Sequence, residues 1–87
     1  MFFIEDIPDK AWKLVPEFTG VEEISVMTHR TGVRVTIQPP GTVPPDSDAD
    51  YPGTQVAKNT AQDFRKDPTH LVYLRSYYGI AKCSGWV

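Results

Sequence analysis

The sequence predicts a small α+β domain: an antiparallel sheet built around a β-hairpin, at about 22–28 and 33–38, with one main helix, about 54–66, packed on it. Three observations lead there. Two short runs alternate apolar and polar residues with a period of two, as half-buried strands do. A later run spaces its apolar residues along one face of a helix. The length, 87 residues, suffices for one core and one domain, 1–87. A chain this short buries only about 60–65% of the surface its unfolded form exposes, so the core must be thin.

At the start, Phe2 to Ile4 reads as a short strand or an anchored arm. Ile7, Ala11, Leu14, Val15 and Phe18 then fall on one helical stripe, with Pro8 suited to a first turn. Pro16 would clash with the turn before it, which limits this helix to one or two turns, Asp9 to Val15, with Trp12 at the edge of the stripe.

The hairpin is the clearest element. Ile24 and Val26 alternate with Glu23, Ser25 and Met27; Val33, Val35 and Ile37 alternate with Arg34, Thr36 and Gln38. His29-Arg30-Thr31-Gly32 would form the loop, its glycine free to take the left-handed conformation. Pairing Thr28 with Val33 puts Val26 opposite Val35 and Ile24 opposite Ile37, so all apolar side chains share a face; a loop one residue shorter would mix the faces.

Residues 39–53 hold five prolines, two glycines and three aspartates, a composition that belongs to an extended surface loop. Thr54 then fits a helix N-cap, followed by Val56, Ala57, Thr60, Ala61 and Phe64 at helical spacing, with Arg65-Lys66 in the last turn and Asp67-Pro68 as the stop. Thr69 to Tyr78 admits two structures. Its aromatic and β-branched residues favour a central strand, apolar on both faces; Asp67, Pro68 and Gly79 would equally frame a helix. The tail from Gly79 is expected to add a last short strand with Ile80 and Trp86.

Composition narrows the function classes. The chain is 40% apolar and 23% charged, with a formal net charge of −2, so nothing suggests a general electrostatic grip on nucleic acid or anionic lipid. Cys83 is the sole cysteine, which rules out an intramolecular disulfide and a thiolate zinc site and favours a reducing compartment. The opening Met-Phe-Phe-Ile-Glu-Asp lacks the basic start of a signal peptide, and no apolar run approaches the roughly 18 residues of a membrane span. A cytoplasmic protein without membrane contact is expected.

Motifs for chemistry are scarce. Asp46-Ser47-Asp48-Ala49-Asp50 has the spacing that opens an EF-hand loop, but Tyr51 stands where glycine is needed and Ala57 where the bidentate carboxylate belongs. A solvated acidic loop is the better account. Cys83 with His29 or His70 is the only conceivable thiolate–imidazole pair, and nothing in the sequence brings them together. Glu22 and Glu23 are adjacent and would point to opposite faces of a strand. There is no phosphate-cradling glycine loop and no nucleophile elbow. No catalytic residue, metal or cofactor is therefore assigned. His29, Arg30 and Arg34 at the hairpin tip, with Arg75 and the tyrosines nearby, resemble a single-stranded nucleic-acid surface, but the overall acidity works against it.

The supply of large rings is more suggestive. Trp12, Tyr51, Tyr73, Tyr77, Tyr78 and Trp86 either fill the core or anchor an interface, with Tyr51 the best candidate for an exposed anchor. The expectation is thus a small, stoichiometric, non-enzymatic protein-binding module, an inhibitor or adaptor, of a size common among phage and mobile-element accessory proteins. Its partner, another protein, would meet Met27, His29, Arg30, Arg34, Asp46, Asp48, Asp50 and Tyr51. The alternative is an assembly subunit that buries its aromatics in a homo-oligomer; a nucleic-acid binder and an enzyme stand behind both.

Overall fold

Alternation of apolar and polar residues reaches further along this chain than two strands, and the fold uses almost all of it. The structure is a computed structural model and describes residues 2–8, 11–29, 31–42, 44, 54–76, 79 and 81–86. Its strands are β1 (Phe2–Ile7), β2 (Lys13–Leu14), β3 (Glu23–Thr28), β4 (Val33–Gln38), β5 (Thr54–Val56), β6 (Ala61–Arg65), β7 (Leu71–Ser76) and β8 (Ala81–Trp86). One 3₁₀ turn, Pro16–Phe18, is the only helical element among the described residues. The protein is nearly all β, and the expected α+β class is wrong.

The strands form two antiparallel four-stranded sheets, in the orders β1-β8-β3-β6 and β2-β7-β4-β5. Chain-consecutive strands change sheet at every connection except β4 to β5. This is the connectivity of a jelly roll, eight strands wound as two facing sheets. Ile7, Ile24, Val26 and Cys83 from one sheet meet Val33, Val35, Val56, Val72 and Leu74 from the other in a single core cluster, joined by Val15 and Phe18.

The hairpin expected at 22–28 and 33–38 is therefore not one. Both strands exist, with nearly the expected limits, but they lie in different sheets: β3 pairs with β6 and β8, β4 with β5 and β7. Thr28 stands opposite Cys83 and Val33 opposite Ser76 and Val56, rather than opposite one another. The physical reason is that a period of two fixes which face of a strand is buried, not which strand lies beside it. Two strands whose inner faces meet across a core show the same pattern as two that share a sheet. Gly32 is buried in this corner, and the left-handed backbone is found elsewhere, at Gly20, Gly41, Gly79 and Asn59.

The helix expected at 54–66 is likewise replaced by β5, a turn at Ala57 to Thr60, and β6. Asn59 has φ +54°, which no helix interior accepts, and the two strands leave for different sheets. Arg65, assigned to a helix C-terminus, pairs with Glu23 instead. The short helix at Asp9 to Val15 is also absent where the chain is described: Lys13–Leu14 pairs with β7, and Val15 N–H donates to the Val72 carbonyl at 3.0 Å. Pro16 begins the 3₁₀ turn that drops Phe18 into the core.

Within the segment Thr69 to Tyr78, the described residues resolve in favour of the strand, Leu71–Ser76; Tyr77 and Tyr78 lie outside the described residues. β7 runs between β2 and β4, and Val72, Tyr73, Leu74 and Arg75 are all buried, so both of its faces are covered. The expected C-terminal strand is β8. Residues 39–53 span the β4–β5 connection, opening with a turn in which Thr42 N–H donates to Pro39 at 3.1 Å and Gly41 takes φ +84°. Pro39 to Thr42 are exposed and Pro44 is buried. Among the described residues no helix is long and apolar enough to cross a membrane.

Leu74, wholly buried at the centre of β7, should cost about 2–5 kcal/mol when changed to alanine, whereas Met27→Ala, at an exposed position, should stay within about 0.5 kcal/mol. Urea unfolding of both variants measures the contrast, and equal losses would show that β7 does not carry the core.

Candidate functional site

β3 alternates cleanly: Ile24, Val26 and Thr28 point into the core, Glu23, Ser25 and Met27 away from it. Register with β6 sets Glu23 against Arg65, Ser25 against Asp63 and Met27 against Ala61. The first two rows are polar pairs. Arg65 Nε donates to Glu23 Oε1 at 3.0 Å, and the Ser25 hydroxyl donates to Asp63 Oδ1. Both ion-pair side chains are well solvated, so the bridge contributes at most about 1 kcal/mol. The third row is apolar. Met27 is 45% exposed and, with Leu14 at 40%, is one of two large apolar residues exposed among the described residues.

Below Met27, β3 ends in a dense clamp. Thr28 is buried; its hydroxyl donates to the Ala57 carbonyl and accepts the Thr60 N–H at 3.1 Å. The Thr28 N–H donates to the Thr60 carbonyl at 2.8 Å, and the Asn59 N–H to the His29 carbonyl at 2.9 Å. One threonine thus ties the β3 exit to the β5–β6 corner, and the left-handed Asn59 makes that corner tight enough to be reached. Asparagine tolerates this backbone better than most residues.

His29 leaves the clamp half-buried, its Nε2 2.7 Å from Ser84 Oγ on β8. Ser84 is buried and stands opposite Met27 in register. Together, Met27, Thr28, His29, Asn59, Thr60 and Ala61 line an open depression of about 380 Å³. That volume lies within the range of ligand pockets, but the hollow opens broadly to solvent, so it suits one face of an inserted side chain better than an enclosed small molecule.

Cys83 adjoins Ser84 yet faces the opposite way, into the core. Burial raises its pKa from an ordinary 9.0 to about 11, against a smaller lowering by the Met27 backbone N–H. It is a protonated thiol at neutral pH, directed away from His29. The cysteine–histidine pair weighed from the sequence does not form with this histidine. Among the described residues no three metal-binding side chains cluster.

Of the partner-binding residues expected from sequence, Met27 and His29 come together here. Arg34 does not join them. It lies on β4, on the outward face of the other sheet, opposite Arg75 and Gln55. The outer hairpin face imagined from sequence is divided between the two sides of the sandwich, because β3 and β4 belong to different sheets. Arg30, Asp46, Asp48, Asp50 and Tyr51 lie outside the described residues, as does the EF-hand-like spacing. Thr28, Asn59, Thr60, Ala61 and Ser84 were not picked out from sequence. Asn59 alone carried a usable signal, an asparagine in a Lys-Asn-Thr turn.

Comparison with protein-family models, with curated proteins and with solved structures finds no match for this chain. Jelly-roll connectivity serves many unrelated purposes and does not by itself point to any one of them.

Two outcomes check this account. Asn59→Gly should leave stability nearly unchanged, while Asn59→Val should cost about 1–2 kcal/mol in chemical denaturation, since a β-branched residue resists positive φ. For Cys83, the folded chain keeps its proton at pH values where the unfolded chain loses it, so stability should fall as pH rises from 9.0 towards 11. The slope is at most about 1.4 kcal/mol per pH unit. Denaturation of wild type and Cys83→Ala across that window isolates it, and parallel curves would mean the thiol is not held protonated.

Proposed function

We propose that this chain is a small, stoichiometric protein-binding module, an adaptor or inhibitor, whose contact surface centres on Met27 and His29. The observation that carries it is the solvent-exposed Met27, beside Ala61, at the edge of an open depression whose other walls are polar residues tied together by backbone hydrogen bonds. A flexible thioether beside rigid polar groups is an arrangement suited to gripping an apolar side chain of a partner, with the rim supplying orientation. His29, Asn59 and Thr60 offer that rim. The polar rows Glu23–Arg65 and Ser25–Asp63 extend it along the sheet.

A binding role is also the chemistry these groups are best fitted for. The single thiol is protonated and turned inward, and the imidazole is engaged by a buried serine hydroxyl. A lone cysteine kept as a buried thiol suits a reducing, cytoplasmic setting.

The test is photo-crosslinking from position 27 in cells of the native host, combined with capture by wild type, Met27→Asp and Arg34→Ala. A one-to-one adduct with another protein is expected. Met27→Asp should weaken capture by about 30-fold, the equivalent of about 2 kcal/mol. Arg34→Ala, on the far sheet, should leave it intact. Undiminished capture by Met27→Asp, or loss with Arg34→Ala alone, would move the surface elsewhere.

A further inference from the structure

We infer that the free edge of β6 is a self-complementary surface that pairs antiparallel with β6 of a second copy of this chain. This goes beyond the partner-binding surface proposed above and does not depend on it.

The backbone sets the register. Thr60 presents its carbonyl to the Thr28 N–H at 2.8 Å, and Lys66 its N–H to the Glu22 carbonyl at 2.9 Å. Residues 60 and 66 therefore turn their peptide groups towards β3, and by alternation so do Gln62 and Phe64. The N–H and C=O groups of Ala61, Asp63 and Arg65 then face away from β3. Among the described residues no other strand pairs with that edge.

Side chains select one pairing from the few that two-fold symmetry allows. Partners across an antiparallel ladder share a face, so residues of like parity must stand opposite each other. With Phe64 facing Phe64 on the axis, Asp63 of each copy stands opposite Arg65 of the other. Both belong to the outward-turned set, so each such pair exchanges two backbone hydrogen bonds. A slip of one residue either way on both strands sets Asp63 against Asp63 or Arg65 against Arg65, and like charges directly opposite are destabilising.

Charge and burial support the same alignment. Across the junction the outward row would read Glu23, Arg65, then Asp63 and Ser25 of the second copy, alternating in sign where charged and extending pairs already present in one chain. On the other face, Phe64 packs against the core while remaining only half-buried. Its counterpart at the axis would cover the exposed part, in the close spacing of a non-hydrogen-bonded pair. Edge strands commonly carry charge to repel one another. Here the charges are arranged to attract. The result is one continuous eight-stranded sheet through two copies, an interface small enough for its formation to depend on concentration.

Light scattering during gel filtration tests this with two charge variants. Wild type should pass from 9.8 kDa to twice that mass as concentration rises. Asp63→Arg and Arg65→Asp should each stay monomeric, because each sets like charges across the axis, and an equimolar mixture should regain the doubled mass, since 63 and 65 are again opposite in sign. Wild type that remains at 9.8 kDa at every concentration, a dimer kept by both single variants, or folded variants that fail to associate when mixed would each overturn the inference. Hydrogen exchange on wild type needs no variant: the Asp63 and Arg65 amides should gain protection with concentration, and amides that exchange freely in the doubled species would reject this edge.

Discussion

Everything in this fold depends on two sheets sharing one apolar layer. Val26 and Ile24 on one side and Leu74 and Val72 on the other belong to the same buried cluster. Each sheet buries its apolar face against its opposite number. The chain achieves this by crossing between sheets at nearly every turn, so that strands adjacent in sequence face each other through the core and strands adjacent in space come from far apart. β1 pairs with β8, and β3 is flanked by β6 and β8. Ordering of this kind must close long loops before hydrophobic contact repays the entropy, and it favours slow, cooperative folding.

That same remoteness explains what could be read from the residues alone. The runs 22–28 and 33–38 announced themselves as strands because Ile24, Val26, Val33 and Val35 alternate with polar neighbours, a property of each strand by itself. Their neighbours in the sheet left no trace, and a short connection containing glycine made the nearest partner look inevitable. For 54–66 the deception was stronger. Gln62, a polar residue, occupies an inward position on β6 while Ala61 faces solvent, so the true period of two is blurred and Val56, Ala57, Thr60, Ala61 and Phe64 mimic a helical stripe. Tertiary pairing with β3 and β4 then overrides that local preference.

The site was legible to the same extent. Met27 could be singled out because an outward position of an amphipathic strand is recognisable in isolation, and His29 because it follows that strand in a polar connection, although the hairpin tip expected there does not form. Thr28 could not, since its importance lies in reaching Ala57 and Thr60 across a corner that the helix reading would have abolished. Ser84 and Cys83 make the point sharply. They are neighbours in sequence, yet one meets an imidazole on the outer face and the other is sealed among valines, so their chemistry diverges because the strand alternates.

The register of β1 and β8 has a mechanical consequence. Phe2 lies directly opposite Trp86, so the two ends of the described chain sit side by side at one end of an antiparallel ladder. Tension applied through both ends would load the bonds of that ladder one at a time, opening it like a zipper instead of shearing all of them together. Pulled in this way the domain yields at lower force than it would if the same strands were sheared along their length.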